Sequence, residues 1–368
     1  MSELKHTPLY EEHVALQAKL VPFAGFEMPV QYPTGIRAEH ESVRTAAGLF
    51  DVSHMGEFLV TGPEALDFVS YVTTNDPARL REGQAQYSMF CRADGSAVDD
   101  LIVYRLGDQR LRLVVNGANL AKDWEHLTAL AARFDVRLED ESDDIGLIAL
   151  QGPRAQEILA PLCSEDLDPV GFYEFTTGTV GGVPGVISRT GYTGEDGFEL
   201  YVPADRTADL WRDLLDAGRT AGLIPAGLGS RDSLRLEMGY ALYGNDLDDG
   251  TSPLEAGLSW LVKLGKGEFV GREALQAQID TGLTRRLRGF RLAERGFPRP
   301  GYDVVFRGDV VGTVRSGTLS PSLDAGIGTA YLPPEAEFGD PVAIRIRGRD
   351  LEAQVVQMPF YRDGSVRK

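Results

Sequence analysis

Residues 58–69, FLVTGPEALDFV, run as an apolar strand, break at Gly62-Pro63 and reopen with helical spacing at Ala65, Phe68 and Val69. Proline suits the first helical turn, where its missing N–H has no intrahelical partner to lose. Residues 147–159, LIALQGPRAQEIL, repeat the phrase: a short apolar strand, Gly152-Pro153, then a helix expected through Leu162. Two strand–Gly-Pro–helix units predict that roughly the first 270 residues hold a duplicated unit. Between the two lie a strand pair, Ala97 to Leu106 and Arg110 to Asn116, turning at Gly107 to Gln109, and a helix from Ala118 to Phe134. Upstream, Arg37 to Ala47 has helical spacing with Gly48 as its stop, and Glu57 to Val60 reads as a strand. Downstream, Asp205 to Ala221 and Leu228 to Met238 have helical character.

From about Leu287 the texture becomes short strands broken by glycine, DVVFRGDVVGTV and VAIRIRGRDLEAQVV, with hairpin turns at Arg-Gly-Asp and Gly-Arg-Asp. The expected architecture is α+β, with residues 1–280 as one region and 281–368 as an all-β, barrel-like domain. The first region divides into subdomains of about 50–138 and 1–49 plus 139–280, and the boundary to the β domain falls near Gln278 to Thr284.

Bulk composition limits the function classes. The 368 residues are 43% hydrophobic, enough for several packed domains and too apolar for disorder. No uncharged apolar run reaches about 18 residues, and Met1 to Tyr10 has no signal-peptide pattern, so a cytoplasmic location is expected. A net charge of −18 argues against nucleic acid or an anionic membrane as partner. Cys91 and Cys163 are the only cysteines, which leaves no disulfide framework and no structural zinc cluster. The five histidines never pair at metal-ligand spacing. Gly227-Leu228-Gly229-Ser230-Arg231-Asp232 lacks the third glycine of a dinucleotide fingerprint, and no phosphate loop occurs, so neither a metal nor a nucleotide cofactor is expected. Chemistry must then run on carboxylates, arginines and aromatics.

Strand parity selects among these. In VDDLIVYRL, residues 98–106, alternation puts Val98, Asp100, Ile102 and Tyr104 on one face and Asp99, Leu101, Val103 and Arg105 on the other. Asp100 is either buried with hydrogen-bond partners or lines a pocket, where its pKa would tend upward, or, with Asp99, it merely closes the turn after Ala93-Asp94-Gly95. In RTGYTGEDGFELYV, residues 189–202, Phe198, Leu200 and Val202 face one way and Glu199 and Tyr201 the other, which by itself also fits a solvated face for Glu199. Glu195 and Asp196 lie in a Gly-flanked turn that needs no function, and Arg231 with Asp232 fits helix opening and surface pairing.

Taken together, FAGFEMP (23–29), GLFDVSHMGE (48–57), VDDLIVYRL, VVNGAN (114–119), RTGYTGEDGFEL (189–200), GLGSRDSLRLEMGYALYGNDLD (227–248), SPLEAGLSW (252–260) and VQMPFYR (356–362) resemble the glycine cleavage system T proteins, the aminomethyltransferases. The resemblance runs from Phe23 to Arg362 in the family's order. It implies a three-domain fold around a folate channel, and transfer of a methylene carbon from the aminomethyl-loaded lipoyl arm of the H protein to tetrahydrofolate, with release of ammonia. Tetrahydrofolate is then a co-substrate and the lipoylated H protein a partner. The same resemblance makes Asp100 the essential aspartate beside the reacting folate nitrogens and Glu199 the carboxylate that recognises the pterin. It makes Tyr87, Tyr104, Tyr173 and Tyr192 pocket aromatics, Asn116 a polar pocket residue, and Arg231 a ligand-binding arginine. Arg362 would partner folate's glutamate carboxylate. Where some relatives carry two tyrosines this chain has Phe172-Tyr173, so a hydroxyl contact from position 172 is expected to be missing. Folate-binding relatives that support iron–sulfur protein maturation, the alternative reading, carry a cysteine motif in the later folate-binding region, and here no cysteine follows Cys163. Oxidative demethylases that join this module to a flavin domain need length and a dinucleotide fingerprint that this chain lacks.

Overall fold

The computed structural model describes residues 4–366. A short opening segment comprises α1 (Tyr10–Ala15), the hairpin β1 (Lys19–Phe23) and β2 (Phe26–Gln31), then α2 (Ile36–Thr45) and β3 (Ala47–Asp51). The duplication then appears as two runs of identical element order. The first is β4 (Gly56–Thr61), α3 (Ala65–Val72), β5 (Gln84–Cys91), β6 (Ala97–Gly107), β7 (Arg110–Val115), α4 (Leu120–Ala131) and β8 (Arg137–Asp140). The second is β9 (Ile145–Gln151), α5 (Ala155–Leu159), β10 (Phe175–Val180), β11 (Val183–Ser188), β12 (Gly197–Pro203), α6 (Thr207–Gly218) and β13 (Leu223–Pro225).

Their sheets are built alike. Strands pair in the order β5-β6-β7-β4-β8 in one and β10-β11-β12-β9-β3-β13 in the other, so β3 has been inserted beside β9. The Gly-Pro corners explain why the phrase recurs. Gly62 and Gly152 have φ of +126° and +140°, and a Cβ added at either would lie 2.6 Å from the Asp135 carbonyl or 2.4 Å from the Ala46 carbonyl. Each glycine lets its corner rest directly on the backbone leading into a neighbouring strand, a position closed to any side chain. Gly152→Ala is therefore expected to destabilise the fold by about 2–4 kcal/mol. The check is a lower denaturant midpoint at unchanged m-value.

Helices α5 and α6 cover the outer face of the six-stranded sheet, burying Leu150, Ile158, Phe198, Leu200, Trp211 and Leu214 together. Helices α3 and α4 cover the five-stranded sheet through Phe58, Phe68, Val69, Leu113 and Leu127. Each such side chain, fully buried, contributes about 1.5–3 kcal/mol. The inner faces meet each other, with Phe50, Tyr104, Val114, Leu147, Ala149 and Tyr201 in one cluster. The result is helices, sheet, sheet, helices, so β12 is buried on both faces.

After α7 (Leu228–Glu237) the chain wraps over Met89, Cys91 and Ala97 and reaches α8 (Arg272–Thr281). The closed barrel follows: β14 (Arg286–Leu292), β15 (Asp303–Phe306), β16 (Asp309–Ser320), β17 (Ala325–Leu332), β18 (Pro341–Ile346) and β19 (Arg349–Val356), ordered β14-β17-β16-β15-β18-β19 with β19 returning to β14. Its core is Phe290, Val304, Leu332, Ile344 and Val355. Both expected hairpin turns lie where the Arg-Gly-Asp and Gly-Arg-Asp stretches fall. Helix α7 locks the barrel in place: Arg235 donates to Ser316 Oγ at 2.8 Å, and Glu237 accepts from Ser320 Oγ at 2.5 Å and Ser322 Oγ at 2.8 Å.

Several local expectations change. Helix α2 stops at Thr45, and Gly48 lies inside β3 against Val43 rather than ending the helix. Helix α4 is shorter than the expected 118–134. Arg231 is the fourth residue of α7 and does not open it.

Candidate active site

Asp100 is a strand residue paired with Met89, so it closes no turn; Asp94 does that, accepting from the Ser96 N–H at 2.9 Å. The parity expectation fails at one point. A register shift between Phe90 and Cys91, opposite Asp99 and Ala97, takes one residue out of alternation, and Val98 packs with Leu101 and Val103 instead of beside Asp100.

Around Asp100 the neighbours are specific. Tyr87 Oη donates to Asp100 Oδ2 at 2.8 Å, and Asn116 Nδ2 donates to Asp100 Oδ1 at 3.1 Å. Asp100 keeps part of its surface open. Burial, together with the Asp99 charge, pushes its carboxyl up to about 7, against the pull of the Tyr87 and Asn116 hydrogen bonds. Behind Tyr87 stands Trp260, 55% exposed, with ring centroids 6.1 Å apart.

Glu199 corrects the solvated-face alternative: it is 6% exposed, because the inner face of β12 is covered by the other sheet. Its Oε2 accepts from Thr190 Oγ1 at 2.5 Å. Burial raises the carboxyl, opposed by that bond and by the charge of Arg231. Arg231 is not paired with Asp232, which instead holds Arg235 at 2.7 Å. Its guanidinium lies over the Tyr192 ring, 4.9 Å from the centroid, and Nη1 is buried without a partner among the described residues. A buried guanidinium N–H left open is costly unless something else occupies the space it faces. Nearby, His54 Nδ1 is likewise open, and burial holds that imidazole neutral, down to about 4.

Tyr192 stands between the Asp100 and Arg231 groups. Its hydroxyl donates to the Ala241 carbonyl, its ring stacks with Tyr240 at 5.8 Å, and it feels the charges of both Asp100 and Arg231. Tyr173 adopts φ +63° and sits edge-on to Phe172 at 4.8 Å, with Phe172 itself 38% exposed. Tyr104 is 1% exposed; its hydroxyl bonds to Tyr201 at 2.9 Å and Thr190 at 3.3 Å, so it stands behind Glu199. Asp100, Tyr87, Asn116, Glu199, Arg231, Tyr192 and Tyr173 thus converge between the two sheets. Arg362 does not join them: it is exposed and makes no hydrogen bond or ion pair among the described residues.

Three features escaped the sequence reading. Glu195 and Asp196 have structural partners after all: Glu195 holds Arg44 at 2.8 Å and Ser365 Oγ at 2.6 Å, while Asp196 holds Arg189 at 2.5 Å. Trp260 and Tyr240 flank the tyrosines, signalled only by their lying in quoted motifs. His54 carried no signal beyond its place in DVSHMGE.

Known proteins resemble this chain over almost its full length. The GCVT N-terminal domain matches residues 9–266 and the glycine cleavage T-protein C-terminal barrel domain matches 285–362. An aminomethyltransferase of Symbiobacterium thermophilum is 51% identical, covering 98% of each chain. One from Rubrobacter xylanophilus is 52% identical over 98% of this chain and 95% of its own. The crystal structure of glycine cleavage system aminomethyltransferase T from Bartonella henselae superposes with a TM-score of 0.92 at 35% identity, covering 99% of both chains. No helix among the described residues is long and apolar enough to cross a membrane. With both domains matched in order over almost its full length, the chain belongs to the glycine cleavage T-protein family of aminomethyltransferases.

Proposed function

We propose that the recess between the two sheets binds tetrahydrofolate and receives the aminomethyl-loaded lipoyl arm of the H protein. The methylene carbon passes to folate nitrogen, the amino group leaves as ammonia, and the arm remains in its reduced dithiol form. The observation that carries this reading is the gathering of a partly open carboxylate, Asp100, a buried one, Glu199, a set of tyrosines and a guanidinium whose Nη1 has no partner among the described residues.

Each residue then has a physical role. Glu199, backed by Thr190 and Tyr104, presents a fixed carboxylate to the adjacent ring N–H and amino donors of a pterin. Tyr192 and Tyr173 offer flat faces to the ring systems, and Arg231 supplies an unsatisfied donor. Asp100, held by Tyr87 and Asn116, faces the reacting nitrogens, where positive charge develops as the new C–N bond forms; a preoriented carboxylate stabilises that charge. With Phe at 172, that position supplies packing and no hydroxyl. Arg362 and the H protein complete the reading at the surface, the arginine as an exposed cation for folate's terminal carboxylates.

The Asp100 carboxyl lies raised, to about 7, so its ionised form is lost as pH falls through that value. kcat/KM for tetrahydrofolate is therefore expected to rise with pH through about 7 and then level, since this ratio reports the free enzyme. A profile flat from pH 5 to 8 would separate Asp100 from the chemistry.

A further inference from the structure

Directly behind Asp100 lie two more carboxylates that the reaction does not use. Asp99, next along β6, points toward the start of α4, where Asp123 occupies the first helical turn; both are 0% exposed. Asp99 is well supplied with donors: Oδ1 accepts from Asn116 Nδ2 at 2.9 Å and Asn119 Nδ2 at 2.6 Å, and Oδ2 accepts from the Asn116 backbone N–H at 3.0 Å. Asp123 has none; neither oxygen finds a donor among the described residues. The neighbouring Lys122 is turned elsewhere, held by Tyr243 Oη at 2.7 Å. Two adjacent buried carboxylates cannot both stay ionised, and the proton settles on the one with fewer donors. Asp123 is within hydrogen-bonding reach of Asp99, a contact that two acceptors make only when one is protonated.

The link to the reaction is Asn116. Its single Nδ2 group touches Asp99 Oδ1, the Asp100 carbonyl at 3.1 Å and Asp100 Oδ1 at 3.1 Å. Its amide can present both hydrogens to these acceptors only in one orientation, and Asp99 fixes that orientation.

We propose that Asp99 and Asp123 form a buried pair sharing one proton, carried on Asp123, and that this pair positions Asp100 for methylene transfer through Asn116. Asp99 and Asp123 are positioning residues; neither reaches substrate. The inference rests on Asp100 being the reacting carboxylate. Burial and the Asp99 charge push Asp123 far up, whereas the hydrogen bonds to Asp99 pull against its own burial, which agrees with the proton's place. The titratable groups around Asp100 are Asp99, Asp123, Tyr87, Tyr173 and Tyr192, and with the shared proton on Asp123 the negative charge beside Asp100 is that of Asp99.

The test compares Asp99→Asn, Asp123→Asn, Asp123→Ala and Asp100→Asn in the full chain with tetrahydrofolate and aminomethyl-loaded H protein. Asp99→Asn is expected to lower kcat on the order of 10²-fold with folate affinity held within about threefold, and to move the acid limb of kcat to lower pH, because a like charge beside Asp100 is gone. Asp123→Asn keeps a donor toward Asp99 and should recover the turnover that Asp123→Ala loses. Infrared difference spectra of wild type against Asp123→Asn should show the carbonyl stretch of a protonated acid at neutral pH, a readout that does not depend on Asp99→Asn folding. An unchanged kcat and acid limb in folded Asp99→Asn, or no protonated-acid band lost in Asp123→Asn, overturns the pair's role. Were Asp100→Asn itself to turn over normally, the reading of Asp100 would fall; an inactive Asp100→Asn beside a normal Asp99→Asn would overturn the positioning inference alone.

Discussion

Replacing Asp100 with Asn is expected to leave tetrahydrofolate affinity within about threefold and to cut turnover by about 10²- to 10⁴-fold, the span removed when a positioned acid–base or charge-stabilising group is lost. The substitution is nearly isosteric, and the amide can still accept from Tyr87 Oη, which now donates to Asp100 Oδ2 at 2.8 Å. In the flipped orientation the amide oxygen keeps the Asn116 contact, now at 3.1 Å, and the new amide N–H donates to Tyr87 Oη instead. Ground-state geometry is therefore largely kept, while the negative charge that meets developing positive charge on nitrogen is removed. Equilibrium binding of tetrahydrofolate together with single-turnover kinetics separates the two effects. Turnover unchanged at comparable affinity would exclude Asp100 as the group that stabilises the transition state.

Glu199→Ala should produce the reverse pattern. Glu199 is buried on a strand covered by the opposing sheet, its Oε2 satisfied by Thr190 and its remaining capacity open to ligand. Deleting a buried, charge-assisted pairing costs about 1.5–3 kcal/mol, a loss of roughly 10- to 150-fold in tetrahydrofolate affinity. Turnover at saturating folate should fall far less, because the proposed mechanism sets Asp100, not Glu199, against the reacting nitrogens. Titration calorimetry with tetrahydrofolate gives the affinity directly, and a variant that binds as well as the wild type would remove Glu199 from pterin recognition.

How much of this was legible beforehand depended on the range of the signal. The Gly-Pro corners announced the duplication because a backbone requirement is local: only glycine fits where Gly62 and Gly152 approach neighbouring carbonyls. Likewise the barrel hairpins followed from turn chemistry at Arg307-Gly308 and Arg347-Gly348. Burial of Glu199 was not legible from parity, because alternation says which side chains share a face and nothing of what covers it. Here a second sheet, from an earlier part of the chain, does so. The misplaced Val98 has a similar cause, a register shift that only the partner strand reveals.

The site shows the same division. Asp100, Asn116 and Glu199 stood in recognisable motifs, yet their chemistry depends on long-range partners: Tyr87 from a neighbouring strand, Thr190 from the loop before β12, and Arg231 from a helix later in the chain. Glu195 was set aside as a turn residue, whereas it joins Arg44 of α2 to Ser365 near the C-terminus. Asp123 gave no signal at all. An aspartate in the first turn of a helix is ordinary; its significance lies in the absence of any donor among the described residues and the presence of Asp99, contributed by a strand from the preceding hairpin.

The most direct test mixes the purified protein with tetrahydrofolate and aminomethyl-loaded H protein and follows methylenetetrahydrofolate and ammonia together. Formation of both in equal amounts, at a rate that Asp100→Asn lowers by about 10²- to 10⁴-fold, is the expected result. Folate binding without either product, in the presence of a competent H protein, would contradict the assignment of methylene transfer to the recess between the sheets.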